Sequence, residues 1–373
     1  MDATTLVTPP YVAGPLRLEP FAAMLLVPAR VGDPSTGRAF ARPYKDVAAR
    51  LQRWRERGFV EQDLEPALYL HEYTANGITI RGLVGALDVS RRAIRAEDRA
   101  VLPHEGIHPA QADDLAERMA EMGLNPAPIL LVHQGSDALR RLTTTIREAE
   151  PDRAYNDRSQ QQHRLWAITD PSTIDLIEAE LASSRALIAD GHHRYAAYLR
   201  LQQRGLGAGY DLGLAMLVDQ GDTPLFLGPI HRTLAGTTLD DLRRAAEALG
   251  YRYEEREQSR AVAGLGPSRL AATDGHTWAT ITLNVPPDLA TVEILHHRLL
   301  PALPHGPSGV GYHHTVESAL DQAAPEHGIA VLMPAPSVDQ VMRIADADRL
   351  LPEKATSFQP KPSLGVLVRP LGG

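Results

Sequence analysis

Five consecutive residues combine groups that bind phosphate with the backbone freedom that a tight turn needs. They are Asp190, Gly191, His192, His193 and Arg194, and we call them the 190–194 turn. An apolar run precedes the turn, so a strand is predicted to end at Asp190 and a helix to begin near His193. The first N–H groups of a helix lack partners within it, and the helix dipole is positive there. The turn therefore favours an anion, above all phosphate, which Arg194 and the imidazoles can also bind.

Asp190 has two candidate roles in this turn. Its carboxylate could hold a divalent metal ion such as Mg²⁺, or it could orient His192. The turn is not a Walker A loop, because the pattern G-x-x-x-x-G-K-[ST] occurs nowhere in the chain. A glycine turn beside a capping aspartate is also a common structural device, so a purely structural role stays open.

A second candidate is an acid/base pair in a loop, His104 and Glu105, which follows the apolar residues 101–102. An exposed loop pair without a catalytic role is the alternative. The pairs His163-Arg164 and His231-Arg232 each lie at the end of a strand-like run. A partly buried histidine beside an arginine that extends to solvent explains both of these pairs equally well.

The composition excludes several classes of protein. The 373 residues are 43% hydrophobic and 23% charged, which is typical of a folded globular chain. The net charge is −8 without a basic run, which argues against nucleic-acid binding. The chain has no stretch of about 18 apolar residues to span a membrane and no signal peptide at its start. The absence of cysteine excludes disulfides and thiolate metal sites, and fits a cytoplasmic protein.

Lysine is scarce in this chain. Lys and Arg together number 38, but only Lys45, Lys354 and Lys361 are lysines. Lys45 is expected on the exposed side of a helix. A compact ammonium makes a point-charge contact with phosphate that a planar guanidinium cannot copy in the same space. Lys354 and Lys361 are therefore candidate phosphate ligands, with a solvated loop as the alternative.

The hydrophobic pattern alternates between helices and strands. Helices are predicted over 44–57, 110–122 and 239–249, and from the capping Asp170-Pro171 pair onward. Strands are predicted over 67–73, 78–89, 129–132, 186–189, 251–253 and 278–284. Asn76-Gly77 indicates one hairpin turn, Asp274-Gly275-His276 a second, and the runs 212–218 and 224–230 a third hairpin. The fold class is α/β with mixed α+β character, a mixed sheet with flanking helices. Three parts are expected, 1–100, 101–235 and 236–373.

Six motifs, taken in order, resemble the bacterial and archaeal domain-of-unknown-function family 1015. They are V-L-P-H-E at 101–105, H-R-L-W at 163–166, L-I-A-D-G-H-H-R-Y-A-A at 187–197, P-I-H-R at 229–232, L-H-H at 295–297 and L-P-E-K-A-T-S-F-Q-P-K at 351–361. Their order holds from about residue 44 to residue 368. The chain is therefore identified as similar to this family over most of its length.

The resemblance also implies a fold and an activity. The 190–194 turn is similar to the phosphate-binding turn of the ParB/sulfiredoxin superfamily, some of whose members phosphorylate free L-serine, and the family is associated with a serine kinase activity that uses pyrophosphate. It implies a ParB/sulfiredoxin-like core around the turn, with additional α+β parts on both sides. It implies Mg²⁺ near Asp190 and a nucleotide or pyrophosphate donor. The donor-binding residues that the resemblance implies are Asp190, Gly191, His192, His193 and Arg194, and our hypothesis adds the candidates His231, Arg232, Lys354 and Lys361. The candidate catalytic residues of our hypothesis are Glu105 as the base, with His104, His192 and Arg194.

The chain also departs from the family pattern. A Pro-Pro-Tyr-Asp-Val segment expected between Phe21 and Tyr44 is missing, and that interval is shortened. The family's Arg and Thr after His-Glu are Gly106 and Ile107, and its Asp-Arg pair is Asp-Asp at 113–114. These departures predict either a substrate that differs from that of typical members or a loss of activity.

The leading hypothesis is a kinase that phosphorylates a small hydroxyl compound, free L-serine first, with ATP, ADP or pyrophosphate as donor. A non-catalytic module that senses a nucleotide or phosphate through the same turn is the first alternative. A metal-dependent hydrolase that uses His192 and His193 is the second. The expected partner is a small molecule, with neither nucleic acid nor membrane, and a homodimer is a candidate assembly.

Overall fold

The computed structural model describes residues 6–41, 47–324 and 327–372. The strands are β1 (Val12–Ala13), β2 (Leu18–Glu19), β3 (Met24–Leu26), β4 (Val60–Gln62), β5 (Leu68–Ala75), β6 (Ile78–Asp88), β7 (Arg99–Leu102), β8 (Leu124–Asn125), β9 (Ile129–His133), β10 (Arg153–Asn156), β11 (Gln162–Ile168), β12 (Ala186–Asp190), β13 (Leu212–Asp219), β14 (Phe226–Gly228), β15 (His231–Ala235), β16 (Arg252–Arg256), β17 (Arg269–Thr273), β18 (Trp278–Thr282), β19 (Gly309–His313), β20 (Gly328–Leu332), β21 (Ser357–Gln359) and β22 (Arg369–Pro370).

The helices follow the same chain order. They are α1 (Pro34–Ala41), α2 (Val47–Glu56), α3 (Pro109–Met122), α4 (Asp137–Ile146), α5 (Pro171–Leu181), α6 (His192–Gln203), α7 (Leu239–Ala248), α8 (Gln258–Ala263), α9 (Thr291–Ile294), α10 (Leu300–Ala302), α11 (Val316–Leu320) and α12 (Val338–Asp346). A π-helical turn, Leu295–Leu299, joins α9 to α10. Across the described ranges, no helix combines the length and the apolar character that a membrane span requires.

The chain divides into two compact units. The first unit contains Met1–Leu225 and Pro360–Gly373, and the second contains Phe226–Gln359. This division differs from the three sequence segments expected above. Residue 100 lies within β7, which pairs with both β1 and β12 in one sheet, so the sheet continues through that position.

Ten of the described strands form the sheet of the first unit. Nine follow the order β1-β7-β12-β9-β13-β6-β5-β11-β10, and β2 pairs with β6. The pairs β7–β12 and β9–β13 are parallel, and the other pairs are antiparallel. The mixed sheet with flanking helices that the alternating pattern predicted is confirmed.

Local sequence signals determine several boundaries in this unit. Asn76 and Gly77 both have positive φ, 52° and 78°, which is the backbone of the tight β5–β6 hairpin. Gly123 ends α3 in the left-handed conformation with φ 65°. Asp170 caps α5 by accepting a hydrogen bond from the Thr173 N–H. The predicted helix over 44–57 is seen as α2 from residue 47 onward, while Lys45 lies outside the described residues.

A large apolar cluster fixes the helices against the sheet. Leu131, Ile188 and Leu217, from three neighbouring strands, share this cluster with Ile177 of α5 and Tyr198 of α6. Burial of such side chains stabilises the native state by roughly 25 cal/mol per Å² of apolar surface. The start of α6, and with it the 190–194 turn, is therefore held at the end of a buried strand.

The last described residues complete the first unit. The segment 360–372 returns from the second unit, and its strand β22 pairs with β8. The buried guanidinium of Arg369 donates hydrogen bonds to Asn125 Oδ1 (3.0 Å), to the Leu212 carbonyl (3.1 Å) and to the Gly209 carbonyl (2.7 Å). These bonds anchor the segment that carries Lys361.

The second unit contains a six-stranded antiparallel sheet with the order β16-β18-β17-β20-β15-β19. The hairpin predicted at Asp274-Gly275-His276 is confirmed as the connection between β17 and β18. The hairpin predicted from 212–218 and 224–230 is wrong. β13 pairs with β6 and β9, whereas β14 pairs with β21 in the second unit. Residues 219–222, predicted as a hairpin turn, therefore belong to the connection between a strand of the first unit and a strand of the second.

Replacement of Arg369 by alanine tests the anchoring of the C-terminal segment. Three acceptors would lose their buried, charged donor, so we expect the free energy of unfolding of the first unit to fall by about 3 kcal/mol. Urea denaturation measures this loss. The matched control is Arg95→Ala, which removes an exposed guanidinium of the same unit and should change the value by less than about 0.5 kcal/mol. Equal stability of the two variants would contradict the anchoring role.

Candidate functional site

The 190–194 turn connects the end of β12 to the start of α6. Gly191 is the residue before the helix and has φ 96°, a conformation that side-chain-bearing residues rarely adopt. Its carbonyl accepts the Tyr195 N–H at 2.8 Å, which closes the first helical turn. The N-cap residue Gly191 has no side chain with which to cap this helix. The positive end of the α6 dipole is directed at the turn.

Two tyrosines hold α6 in position. The Tyr195 hydroxyl donates to the Pro10 carbonyl at 2.8 Å and accepts from the Val12 N–H at 3.0 Å. The Tyr198 hydroxyl lies 3.2 Å from the carbonyl oxygens of both Ala127 and Leu214. Because both rings are buried, the start of α6 has little freedom to move relative to the sheet.

Asp190 is shared by two cations. Its Oδ2 lies 2.6 Å from an Arg194 guanidinium nitrogen, and its Oδ1 lies 2.5 Å from Lys361 Nζ. A second guanidinium nitrogen of Arg194 donates to the Pro128 carbonyl. Lys361 is 171 residues away in sequence and arrives on the C-terminal segment. The turn therefore presents two positive groups around one carboxylate beside a helix N-terminus.

The two histidines of the turn hold a neighbouring loop. His192 Nε2 accepts the His104 N–H at 3.3 Å, and His193 Nε2 accepts the His108 N–H at 3.1 Å. Burial lowers the pKa of His192 to about 3, so the ring is neutral at physiological pH. Because its Nε2 is an acceptor, its proton is on Nδ1. We expected both imidazoles to supplement phosphate binding, but His192 brings no positive charge to the turn.

The loop pair His104 and Glu105 lies next to the turn. The His104 ring packs edge-on against the His192 ring, with 4.6 Å between centroids. Burial, and then the neighbouring His192, holds the pKa of His104 well below its usual range. His104 Nε2 and Glu105 Oε1 are 4.0 Å apart, which is too long for a hydrogen bond. Glu105 keeps 19% of its side chain exposed, so this carboxylate is the group of the pair that solvent can reach.

The remaining predicted donor ligands belong to the second unit. Arg232 is buried and donates to His296 Nε2 (3.3 Å) and to the Lys354 carbonyl (2.9 Å). His231 Nδ1 accepts the Met333 N–H at 3.1 Å, and burial lowers the pKa of His231 to about 4. The Lys354 side chain is exposed. The structure thus brings Lys361, His104 and Glu105 to the turn, whereas His231, Arg232 and Lys354 belong to the second unit.

The side chains around Asp190 do not fit a magnesium ion held by the protein. Each Asp190 oxygen already faces a cation, whereas Mg²⁺ needs uncommitted oxygen ligands. Over the described residues, no three His, Asp or Glu side chains come together as a metal site. The Nε2 atoms of His192 and His193 accept backbone N–H groups, which also removes them as ligands for a hydrolytic metal ion.

Sequence reasoning missed the residues that hold Lys361. The Tyr73 hydroxyl donates to the Pro360 carbonyl at 2.6 Å, and Gln161 Nε2 donates to the Lys361 carbonyl at 3.0 Å. Tyr73 lies within a strand and Gln161 just before one, and neither is part of a motif that indicates a site. Only the pairing of β5 with β11 brings them together.

Comparisons with known proteins identify the family. The family model described as "Protein of unknown function (DUF1015)" matches residues 19–289, so the chain belongs to this family. The resemblance inferred from the six motifs is thereby confirmed. No curated protein matches the chain significantly.

Several solved structures are distantly similar to this chain. A mutant free serine kinase in complex with ADP is 16% identical, with a TM-score of 0.39, over 72% of this chain and 89% of that one. Another mutant of a free serine kinase, in complex with AMP, is 15% identical with a TM-score of 0.41, over 77% and 92% of the two chains. A conserved hypothetical protein from Pyrococcus furiosus is 16% identical with a TM-score of 0.37, over 72% and 92%. At these values the likeness assigns neither a substrate nor a residue role to this chain.

Replacement of Gly191 by alanine tests the geometry of the turn. A Cβ there would lie 2.9 Å from the Arg194 guanidinium, and the residue would keep an unfavourable positive φ. The control is Gly205→Ala, since Gly205 also has positive φ (61°) but nothing within 4 Å of an added Cβ. We expect Gly205→Ala to cost about 1 kcal/mol of unfolding free energy, and Gly191→Ala to cost measurably more in urea denaturation. Equal costs would show that Arg194 does not pack on the turn.

The neutral His192 predicts a pH dependence of stability. Its folded-state pKa is about 3, against about 6.5 in the unfolded chain. As the pH falls below about 6.5, the unfolded state takes up this proton and the folded state does not, so stability decreases by about 1.4 kcal/mol per pH unit from this group. Between pH 7 and pH 4.5, the free energy of unfolding of His192→Gln should therefore fall less steeply than that of the unmodified protein. The difference in slope should correspond to about one proton. Parallel curves for the two proteins would contradict a neutral, buried His192.

Proposed function

We propose that this protein is a phosphotransferase that phosphorylates a small hydroxyl compound, free L-serine first, with ATP, ADP or pyrophosphate as the donor. The observation that carries the proposal is the pair of cations at the start of α6, where the ammonium of Lys361 and the guanidinium of Arg194 both contact Asp190. Family membership and the similarity of the turn to a phosphate-binding turn support the same reading.

The charge of the turn suits a polyphosphate. Lys361 and Arg194 carry two positive charges against the single carboxylate of Asp190. An ammonium has three N–H donors and a guanidinium has five, so each group keeps donors for a phosphate while it contacts Asp190. The backbone N–H groups at the start of α6 add neutral donors, which need no counter-charge. Phosphoryl transfer depends mainly on such positioning and charge stabilisation.

Glu105 is the proposed base. In the reaction, the acceptor hydroxyl oxygen forms a bond to the terminal phosphorus of the donor while the bond from that phosphorus to the bridging oxygen breaks. The hydroxyl proton passes to the Glu105 carboxylate, and the donor leaves shortened by one phosphate. His104 and His192 act as neutral positioning groups in this scheme, because their contacts fix the loop that carries Glu105 against the turn.

The remaining predicted ligands stay part of the proposal. His193 fixes residue 108 of the same loop. His231, Arg232 and Lys354 belong to the second unit, and their role as donor ligands stays a prediction. No Mg²⁺ position is assigned to the protein's own side chains, since Asp190 is committed to its two cations.

Incubation of the purified protein with L-serine and each donor tests the proposal. Mass spectrometry should detect O-phosphoserine with at least one of ATP, ADP or pyrophosphate. Lys361→Met should lower kcat/KM by about 100-fold, as expected for loss of one charged group that stabilises the transferring phosphate. Arg244→Met, which removes an exposed cation of the second unit, should leave the rate unchanged.

A second variant separates catalysis from sensing. Glu105→Gln should abolish turnover and preserve the stabilisation of the protein by the donor in a thermal-shift assay. Stabilisation of the unmodified protein by a nucleotide, without a product from any donor and acceptor pair, would instead identify a phosphate-sensing module.

A further inference from the structure

The position of Lys361 depends on a side chain that no motif marks. Gln161, which immediately precedes β11, contacts the C-terminal segment at two points. Its Nε2 donates to the Lys361 carbonyl at 3.0 Å, and its Oε1 accepts the Ser363 N–H at 3.2 Å. The Gln161 amide donates one hydrogen bond to the main chain and accepts one from it, as a residue of a neighbouring strand does. These two bonds fix the backbone on both sides of residue 362.

The turn that carries Gln161 is itself rigid. Asp157 Oδ1 accepts the N–H groups of Ser159 (2.8 Å) and Gln161 (2.9 Å), and the Asp157 N–H donates to the Gln161 carbonyl at 2.9 Å. The Ser159 hydroxyl lies 3.1 Å from the Ser363 hydroxyl, which adds a third contact to the C-terminal segment. Residues 157–161 therefore form a closed loop whose backbone is held by one carboxylate.

Two buried histidines, His163 and His71, support this loop through Asp157. The second oxygen of Asp157 lies 3.1 Å from His163 Nε2, and His163 Nδ1 lies 3.0 Å from His71 Nε2. Burial acts to raise the pKa of Asp157, but hydrogen bonds with the Ser363 side chain, with His163 and with the Gln161 N–H hold it below its usual value. The ionised carboxylate accepts the Nε2 proton of His163, so His163 Nδ1 must accept from His71. All three residues are buried, so this series of hydrogen bonds anchors the 157–161 loop to β5 and β11.

We infer that Gln161 is the positioning residue for Lys361: it fixes the backbone that directs the Lys361 ammonium to Asp190, and it acts on the donor phosphate only through that ammonium. Ordering a lysine side chain costs conformational entropy, and a fixed backbone reduces the number of positions the ammonium can sample. The inference rests on the proposed function only where it makes Lys361 a ligand of the donor phosphate.

The scarcity of lysine makes the position of Lys361 measurable without an activity assay. Reductive methylation with ¹³C-formaldehyde keeps each amine cationic and labels only three lysines and the chain terminus. Substitution of each lysine by arginine assigns the signals. The Asp190→Asn variant then gives the signal of Lys361 without its carboxylate partner.

The test compares Gln161→Ala with Gln52→Ala, which removes an exposed glutamine from α2. We expect Gln161→Ala to move the Lys361 signal toward its position in Asp190→Asn, and Gln52→Ala to leave it in place. Gln161→Glu keeps an oxygen for the Ser363 N–H but loses the donor to Lys361, so it should give a smaller shift. An unchanged Lys361 signal in folded Gln161→Ala overturns the inference, whatever the catalytic assays show.

Pyrophosphate affinity then tests whether Gln161 acts through Lys361. We expect calorimetric binding to weaken about 10-fold in Gln161→Ala and about 30-fold in Lys361→Met, with no further loss in the double variant. Losses that multiply in the double variant would show that Gln161 acts independently, and would overturn the inference. If the unmodified protein binds no pyrophosphate and gives no product, the proposed function fails, while the methyl signals still decide the position of Lys361.

Discussion

The candidate site depends on the contacts that the Asp190 carboxylate makes with two cations. It ends a buried strand, and it holds Arg194 from the following helix and Lys361 from a segment 171 residues further on. Its two oxygens each face one cation, so the three side chains constrain one another. An anion that binds here must share those cations with Asp190. This competition favours a ligand with several negative charges, such as a polyphosphate, over a singly charged anion.

The histidines of the turn and of the neighbouring loop contribute packing and hydrogen bonds to the candidate site. His192 and His193 each accept a backbone N–H from the loop at 104–108, and the rings of His104 and His192 pack together. Burial keeps His192 and His104 neutral, so the loop stays against the turn without bringing positive charge to it. The fixed positive charge around Asp190 thus comes from Arg194 and Lys361, whose charges do not depend on a histidine proton.

The sequence was most informative where structure is set by neighbouring residues. Gly191 and Asn76-Gly77 mark backbone conformations with positive φ, and Asp170 marks a helix start, because these effects act within a few residues. The hairpin predicted over 212–230 was wrong because strand pairing depends on residues that are far apart in the sequence. β13 is an apolar strand that pairs with β6 and β9, and the partners of a buried strand depend on contacts that local patterns do not encode. The contact between Lys361 and Gln161 spans 200 residues and leaves no local signal.

A crystal structure of the protein with ADP would show whether the start of α6 binds phosphate. We expect the terminal phosphate to lie there, within hydrogen-bond distance of the backbone N–H groups of His192 and His193 and of Lys361 Nζ. A nucleotide bound elsewhere, with the start of α6 free of phosphate and Lys361 still in contact only with Asp190, would contradict it.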